Sequence, residues 1–216
     1  MPESKSEKSI VMTGGTAGFG LIALEMVTQA TDAPIIVGAR DRTRIPDTIK
    51  DRVIIQPLDL GSRRSVAAFC EAVADVGPVG QLTLNAGLSP RKLKTTEDGF
   101  DRAFQVNYLS NFEIVHRLSE VLEPEAGIVI TSSGTHDPEE KTPPPPPRHA
   151  NANLLAPPSS DPDLDKIGGR AAARSYTASK LCSTMLSLEL ARRRPRGTSI
   201  SFDPGLVPGT SLTREF

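Results

Sequence analysis

Short apolar runs recur along the chain, and most of them end in small or polar residues. Runs of this length and continuity suit strands that are buried on both faces, as in a parallel sheet. The pattern predicts six such strands, at 9–12, 34–38, 53–57, 81–84, 127–131 and 198–202. We therefore expect one sheet with helices covering both of its faces.

Longer stretches with apolar residues at helical spacing alternate with these runs. In the first of them, Leu21, Leu24 and Val27 form one apolar stripe. The predicted helices cover 18–30, 62–76, 97–123 and 175–194. Strands that alternate with helices define an α/β fold, and 216 residues are enough for a single domain with a substantial core.

The segment 134–173 departs from this alternation because it is rich in proline. It contains five consecutive prolines at 143–147 and a second proline-rich stretch at 157–162. Proline neither continues a helix nor pairs in a central strand, so polyproline II is its natural local form. A connection of this length is either functional or disordered. We expect a flap that becomes ordered beside the binding crevice; a passive surface loop and a ligand for an SH3-type partner are the alternatives.

A glycine-rich turn joins the first strand to the first helix and reads Thr13-Gly14-Gly15-Thr16-Ala17-Gly18-Phe19-Gly20. The first N–H groups of a helix have no partner within it, and the helix dipole adds about half a positive charge there. A bound pyrophosphate accepts hydrogen bonds from these N–H groups and carries the negative charge that the dipole favours, and glycines let the backbone approach it closely. The cofactor contacts predicted from this turn are Thr13, Gly14, Thr16, Gly18, Phe19 and Gly20. A glycine-rich loop without a ligand is the alternative.

Three further strands end in residues suited to a bound dinucleotide. Arg40 follows the second strand, where an acidic residue would bind the ribose hydroxyl of NAD and an arginine accommodates the 2′-phosphate of NADP. Because the arginine is present and the acid is absent, we expect NADP(H); a solvated surface charge is the alternative. Asp59 and Leu60 follow the third strand, and Asn85-Ala86-Gly87 follows the fourth, so all of them border one crevice.

Candidate proton chemistry lies later in the chain. Tyr176 and Lys180 are four residues apart on the last predicted helix and therefore share a face. A tyrosine hydroxyl titrates near ~10, and a nearby ammonium group favours its phenolate form. Ser133 ends the fifth strand and can hydrogen-bond a substrate oxygen. Asn107 sits within a predicted helix, where asparagine is disfavoured, and can hold a carbonyl or a water that relays protons to Lys180.

Composition narrows the classes of protein. The net charge is −1 and the pI about 6.3, so no basic field points to nucleic acid. We see no apolar run near the ~20 residues of a membrane span and no apolar signal region, so we expect a cytoplasmic protein. The two cysteines, Cys70 and Cys182, are expected as buried thiols, and the three histidines have no metal-ligand spacing, so we predict no metal.

Taken together and in order, the motifs resemble those of the short-chain dehydrogenase/reductase family, over nearly the whole chain. The resemblance implies a three-layer Rossmann-like, doubly wound parallel sheet in the strand order 3-2-1-4-5-6. It implies that Asp59 contacts adenine and that residues 85–87 support the adenine pocket. The implied catalytic residues are Asn107, Ser133, Tyr176 and Lys180. The remaining implied cofactor contacts are Tyr176, Lys180, Pro204, Gly205 and Thr210, the last of them to the nicotinamide amide.

A narrower resemblance is carried by 176–182 and by 203–207 with 210–215. These segments are similar to the branch of protochlorophyllide reductases and retinol-dehydrogenase-like enzymes, which also has an insertion between its serine and its tyrosine and uses NADPH. The leading interpretation is therefore an NADPH-dependent carbonyl reductase or alcohol dehydrogenase, which passes hydride between nicotinamide C4 and a small-molecule substrate.

Family members normally continue with substrate-binding helices and a seventh strand, which we expect to be absent here. The proline-rich segment or a partner subunit would then complete the substrate pocket. The resemblance to the family implies a homodimer or homotetramer. A truncated nucleotide-binding scaffold with weak or no turnover is the second interpretation. A sugar-nucleotide epimerase or dehydratase is the third, although such enzymes usually have a larger substrate domain.

Overall fold

The structure of the protein, a computed structural model, describes residues 7–207. Its strands are β1 (Ser9–Thr13), β2 (Ile35–Ala39), β3 (Ile54–Pro57), β4 (Val79–Leu84), β5 (Leu122–Thr131) and β6 (Thr198–Phe202). They form one parallel sheet in the order β3-β2-β1-β4-β5-β6, which confirms the predicted arrangement. The strand order reverses between β1 and β4, and ligands of open α/β sheets bind outside the carboxyl ends of the strands at such a point.

The helices of the described residues vary widely in length. They are α1 (Gly18–Ala30), α2 (Asp47–Lys50), α3 (Arg63–Val76), α4 (Arg102–Phe104), α5 (Ser110–Arg117), α6 (Ala152–Leu155) and α7 (Gly168–Arg193). A π-helical segment, Gln105–Leu109, joins α4 to α5 without a break. Apolar residues of α3, α5 and α7 form one core cluster with the sheet, and those of α1 and α2 form another. The sheet is therefore the middle layer of three.

Strand β2 shows why these apolar runs become central strands. All five of its residues are buried, because β1 and β3 flank it and both faces are covered. Its glycine, Gly38, leaves room for a close neighbour: a Cβ there would lie 3.1 Å from a ring carbon of Phe69 on α3. The predicted boundaries of this strand hold to within one residue at each end.

The long helix predicted over 97–123 is shorter in the structure. It begins at Arg102, where the Asp101 side chain caps it by accepting from the Phe104 N–H at 2.8 Å. Gly99, at φ +80°, keeps the preceding residues out of the helix. At the other end the helix stops at Arg117, and β5 begins five residues before the predicted start. Pro124 falls within this stretch and cannot continue a helix.

Helix α7 begins seven residues before its predicted start, inside the segment 134–173. The buried pair Ala171 and Ala172 explains the extension, because these small side chains pack in the core and favour helix. Before α7 the segment consists of short turns. These are the 3-10 turns Gly134–His136, Pro138–Glu140 and Pro158–Ser160, together with α6.

Strand β6 forms one edge of the sheet within residues 7–207, and its two faces differ. Ile200 and Phe202 are exposed on one face. On the other face, Ser199 and Ser201 meet hydroxyl groups of α7: Ser201 lies 3.2 Å from Thr184, and Ser199 lies 3.0 Å from Ser187. Hydroxyl pairs thus join the edge strand to the helix that carries Tyr176 and Lys180.

Candidate active site

The glycine turn after β1 is packed directly against the end of β4. Gly14 has φ +72°, and its carbonyl accepts a hydrogen bond from Asn85 Nδ2 at 3.0 Å. A Cβ on Gly14 would lie 2.6 Å from the backbone nitrogen of Ala86, and one on Gly20 would overlap the Gly14 carbonyl oxygen. Thr13 Oγ1 accepts from the Ala86 N–H at 3.2 Å. The turn therefore has the tight geometry that only glycine permits at these positions.

A chain of hydrogen bonds links this turn to Lys180. Besides binding Gly14, Asn85 accepts from Thr131 Oγ1 at 2.9 Å through its Oδ1. The carbonyl of Thr131 in turn accepts from Lys180 Nζ at 2.8 Å. The glycine turn and the lysine are thus positioned relative to each other through two residues at strand ends.

Tyr176 and Lys180 lie on the same face of α7, as their spacing indicates. They are 7% and 3% exposed, and Lys180 Nζ lies 5.7 Å from the centre of the Tyr176 ring. Ser133 hydrogen-bonds the Tyr176 hydroxyl. The neighbouring Ser132 points elsewhere: its Oγ donates to the Lys180 carbonyl at 3.0 Å and lies 2.8 Å from Thr184 Oγ1. The structure therefore brings Ser133, Tyr176 and Lys180 together.

Burial governs the acid–base properties of this group. It raises the pKa of Tyr176 above its usual range, while the hydrogen bond from Ser133 opposes the rise. Burial also lowers the pKa of Lys180 to about 8, because the ammonium loses its hydration. The carboxylate of Asp203 acts on both residues and favours their protonated forms. In the protein alone, Tyr176 is therefore held as a phenol that can donate a proton.

The hydrogen bonds of the Asn107 side chain account for the presence of an asparagine within a helix. It lies in the π-helical segment, a local widening that is often found at functional sites. Its Oδ1 accepts from the Leu88 N–H at 2.8 Å, and its Nδ2 donates to the Leu88 carbonyl and to Ser179 Oγ, both at 3.0 Å. The side chain thus ties the segment after β4 to α7, directly behind the face that carries Tyr176 and Lys180.

The backbone carbonyl of Asn107 has partners within the protein. It accepts from Asn111 Nδ2 at 2.8 Å and from Ser183 Oγ at 3.3 Å. The sequence predicts that Asn107 holds either a carbonyl or a relay water, and in the structure its side chain holds the carbonyl of Leu88.

The residues proposed for the adenosine end lie at the ends of β2 and β3. Arg40 is exposed and makes no hydrogen bond or ion pair with any other described residue. The next residue, Asp41, is engaged: its Oδ1 accepts from the N–H and the hydroxyl of Thr43. Asp59 is also exposed, and its Oδ1 accepts from the Gly61 N–H at 2.9 Å. Leu60 is buried, and its carbonyl accepts from Ser110 Oγ.

These residues suit a dinucleotide. The glycine turn offers a cradle that side chains would fill, and it opens at the start of α1, where backbone N–H groups lack partners within the helix. Gly87 lies near Lys180, since a Cβ there would be 3.6 Å from Lys180 Nζ. Pro204 and Gly205, the latter at φ +67°, follow the carboxyl end of β6, on the same side of the sheet as the glycine turn. Thr210 lies outside the described residues.

The proline-rich segment packs against α7 on both sides of Tyr176. The Pro145 carbonyl accepts from Thr177 Oγ1 at 2.8 Å, and the Pro146 carbonyl accepts from Arg174. Arg174 also pairs with Asp165 at 2.7 Å, and Arg148 pairs with the same carboxylate at 3.4 Å. The proline run therefore has hydrogen-bond partners in its own chain, on the two residues of α7 that lie near Tyr176 in sequence.

Sequence reasoning missed two residues that shape the site. Thr131 had no motif of its own, although its position just before the serine pair could have drawn attention to it. Asp203 enters the sequence analysis only as the first residue of the segment 203–207, yet its carboxylate acts on both Tyr176 and Lys180. Within residues 7–207 no three His, Cys, Asp or Glu side chains gather in a way that could hold a metal ion.

The strand order places the fold in the doubly wound α/β class, with the candidate residues gathered at the carboxyl ends of its strands. Residues 8–141 match the model of the short chain dehydrogenase family. That match covers more than half of the chain, so the protein belongs to the short chain dehydrogenase family. Among residues 7–207, no helix combines the length and apolar character that a membrane crossing requires.

Several curated proteins are similar over almost all of this chain. The WW domain-containing oxidoreductase of Danio rerio is 30% identical over 224 residues, covering 98% of this chain and 52% of the relative. Retinol dehydrogenase 14 of Mus musculus is 29% identical over 225 residues, covering 93% and 61%. The oxidoreductase calI of Penicillium decumbens is 29% identical over 231 residues, covering 97% and 61%. The chain thus spans little more than half the length of these relatives.

Solved structures share the fold at lower sequence identity. A short-chain dehydrogenase from Sphingobium yanoikuyae in complex with NADPH has a TM-score of 0.69 and 18% identity, and the match covers 96% of this chain and 74% of that one. A 3-ketoacyl-(acyl-carrier-protein) reductase from Brucella melitensis complexed with NADH has a TM-score of 0.64 and 20% identity, covering 97% and 79%. These structures support the fold and contain both kinds of nicotinamide cofactor.

Proposed function

We propose that this protein is an NADPH-dependent oxidoreductase that interconverts a carbonyl compound and an alcohol. The observation that carries the proposal is the placement of Ser133, Tyr176 and Lys180 at the same edge of the sheet as the glycine turn. Their link through Asn85 and Thr131 gives the two sites a fixed relation. The names of the relatives, oxidoreductases and a retinol dehydrogenase, agree with this chemistry.

Each residue has a distinct function in the proposed reaction. NADPH, when bound, supplies the hydride for the substrate carbon. Tyr176 gives its hydroxyl proton to the carbonyl oxygen during reduction, and its phenolate takes that proton back during alcohol oxidation. Ser133, which already hydrogen-bonds the tyrosine hydroxyl, also binds the substrate oxygen. Lys180 supplies a neighbouring positive charge that favours the phenolate when it forms. Asn107 holds the segment after β4 to α7 through its bonds to Leu88 and Ser179.

The preference for NADPH rests on Arg40. Its guanidinium is exposed at the carboxyl end of β2, free of the other described residues, while the adjacent Asp41 is already bound to Thr43. A 2′-phosphate gives an arginine a doubly charged partner, whereas the ribose hydroxyl of NADH offers no charge. We therefore place the 2′-phosphate at Arg40.

Titration with each cofactor tests this proposal. Arg40→Ala is expected to weaken NADPH binding about tenfold, which corresponds to ~1.4 kcal/mol for a partly exposed charged contact, and to leave NADH binding unchanged. The fluorescence of the reduced cofactor reports binding, and no tryptophan in the chain interferes with it.

Arg193→Ala is the matched control, because Arg193 is exposed at the far end of α7 and pairs only with Glu189 among the described residues. The NADPH proposal fails if Arg40→Ala weakens both cofactors equally, or if the unaltered protein binds NADH as tightly as NADPH.

We further propose that α5 and α7 form a homodimer interface, which a tetramer would use as well. Both helices carry exposed apolar side chains: Phe112 on α5, and Met185 and Leu188 on α7. An interface of this kind covers such side chains from water. Sedimentation velocity is expected to give twice the monomer mass, with Leu188→Glu shifting the protein to monomer; a monomeric mass for the unaltered protein contradicts the proposal.

The cytoplasm remains our proposed location. Cys70 and Cys182 are free and buried, and burial raises their thiol pKa values to about 12 and about 11. Such thiols suit a reducing compartment.

A further inference from the structure

Asp203 lies just after β6, beside the residue that follows Ser133. Its Oδ2 accepts a hydrogen bond from the Gly134 N–H at 2.8 Å, and its Oδ1 accepts one from the Gly205 N–H at 2.9 Å. The fit is close, because a Cβ on Gly134 would lie 2.9 Å from Oδ2. One carboxylate therefore joins the segment after β5 to the turn after β6.

The hydrogen bond between Asp203 and Gly134 extends the pairing of β5 and β6 beyond their last backbone–backbone hydrogen bond. Thr131 pairs with Phe202, and the Ser132 N–H donates to the Phe202 carbonyl at 2.7 Å. The next bond in this direction is the one that the Gly134 N–H donates to the Asp203 side chain. Ser133 stands between these two anchors, so its position against Tyr176 depends on both.

The same carboxylate lies near enough to two ionisable residues of α7 to act on them electrostatically. Its negative charge acts on Tyr176 and on Lys180, and in each case it favours the protonated form. The other ionisable groups around this edge are few. They are Lys180 on the helix itself, His136 and Glu140 on the turns after Ser133, and Asp101, which binds Ser175. Of the carboxylates, only Asp203 acts on both residues in the described part of the chain.

We propose that Asp203 is a positioning residue that holds Ser133 against Tyr176 and adds a negative charge to the edge of the sheet where the tyrosine titrates. For its kinetic consequence this inference rests on the proposed function. Reduction needs the phenol as proton donor, so Asp203 extends reduction to higher pH. Alcohol oxidation needs the phenolate, so Asp203 moves the rise of oxidation to higher pH as well.

Three variants separate the charge from the hydrogen bonds. Asp203→Asn removes the charge and keeps one acceptor oxygen, whereas Asp203→Ala removes both. Asp137→Asn is the matched control: Asp137 also accepts from a backbone N–H, that of Glu139 at 2.9 Å, but it does not act on Tyr176. Circular dichroism confirms that each variant is folded.

The first readout does not depend on turnover. With 13C label at tyrosine Cζ, NMR follows the titration of the two tyrosines, Tyr176 and Tyr108, and Tyr108 serves as internal reference. Asp203→Asn is expected to move the Tyr176 midpoint to lower pH and to leave Tyr108 in place, while Asp137→Asn moves neither. An unchanged Tyr176 midpoint in Asp203→Asn overturns the electrostatic part of the proposal.

The second readout is amide exchange. The Gly134 N–H is expected to exchange about tenfold faster in Asp203→Ala than in the unaltered protein, because it loses its acceptor. Exchange at the unaltered rate overturns the positioning part.

Kinetics link both parts to the reaction. Asp203→Asn shifts the pH profile of kcat/KM to lower pH, and Asp203→Ala in addition lowers kcat about tenfold. If the NMR midpoint and the exchange rate change as expected but no carbonyl substrate is turned over, the proposed function fails and the structural assignment of Asp203 stands. A pH profile that does not move, in a protein that turns over, overturns the inference.

Discussion

Tyr176→Phe is expected to lower turnover by at least about a thousandfold and to leave NADPH affinity within about twofold. The substitution removes one oxygen, the only group at this position that can exchange a proton with the substrate. The ring stays in its buried position on α7, so the packing of the helix is retained. Steady-state oxidation of NADPH with a panel of carbonyl compounds measures turnover, and cofactor fluorescence measures binding.

Tyr108→Phe is the matched control for this result. Tyr108 is the other tyrosine of the chain and lies within 5.1 Å of Phe104, between ring centres, away from Ser133. It should keep full turnover. Equal turnover of Tyr176→Phe and the unaltered protein would remove Tyr176 from the mechanism. NADPH binding without turnover in the unaltered protein would favour a nucleotide-binding scaffold.

Gly20→Ala should abolish detectable NADPH binding and destabilise the fold by about 1–3 kcal/mol. The new methyl group would overlap the Gly14 carbonyl and would reach within 2.5 Å of Asn85 Nδ2. Both groups belong to the joint between the glycine turn and β4, so the turn must move away from the position that we propose for the pyrophosphate. Urea unfolding followed by circular dichroism gives the stability, and cofactor fluorescence gives the binding.

Gly168→Ala separates this effect from a general intolerance of alanine. Gly168 opens α7, and a Cβ there meets nothing within 4 Å, so binding and stability should be unchanged or slightly improved. If Gly20→Ala binds NADPH as well as Gly168→Ala does, the glycine turn is not the cofactor cradle.

The six strands could be predicted because each of them is a short apolar run with its own boundaries. Their order in the sheet depends on contacts between distant segments, so only the family resemblance supplied it. The glycine turn and the pair Tyr176 and Lys180 were also readable, since their spacing within one element fixes their relation. The structure brings Tyr176 and Lys180 together as their spacing predicts, while their catalytic functions remain predictions.

What could not be predicted depends on contacts between distant parts of the chain. The end of the helix at Arg117 is set by β5, which begins early so that Leu122 can pair with Val79. The π-helical turn at Asn107 exists because the side chain is drawn to Leu88 and Ser179. The position of the proline run depends on hydrogen bonds to α7 that no local pattern reveals.

The hydroxyl pairs between α7 and β6 affect the heat-capacity change that accompanies the opening of this edge of the sheet. Aliphatic contacts elsewhere in the core expose much apolar surface on opening, whereas Thr184, Ser187, Ser199 and Ser201 expose groups that water solvates readily. Separation of this helix from the edge strand therefore carries a small change in heat capacity. The edge strand, rather than the helix, is expected to open locally, because α7 also packs Leu186 and Leu190 in the core cluster of the sheet.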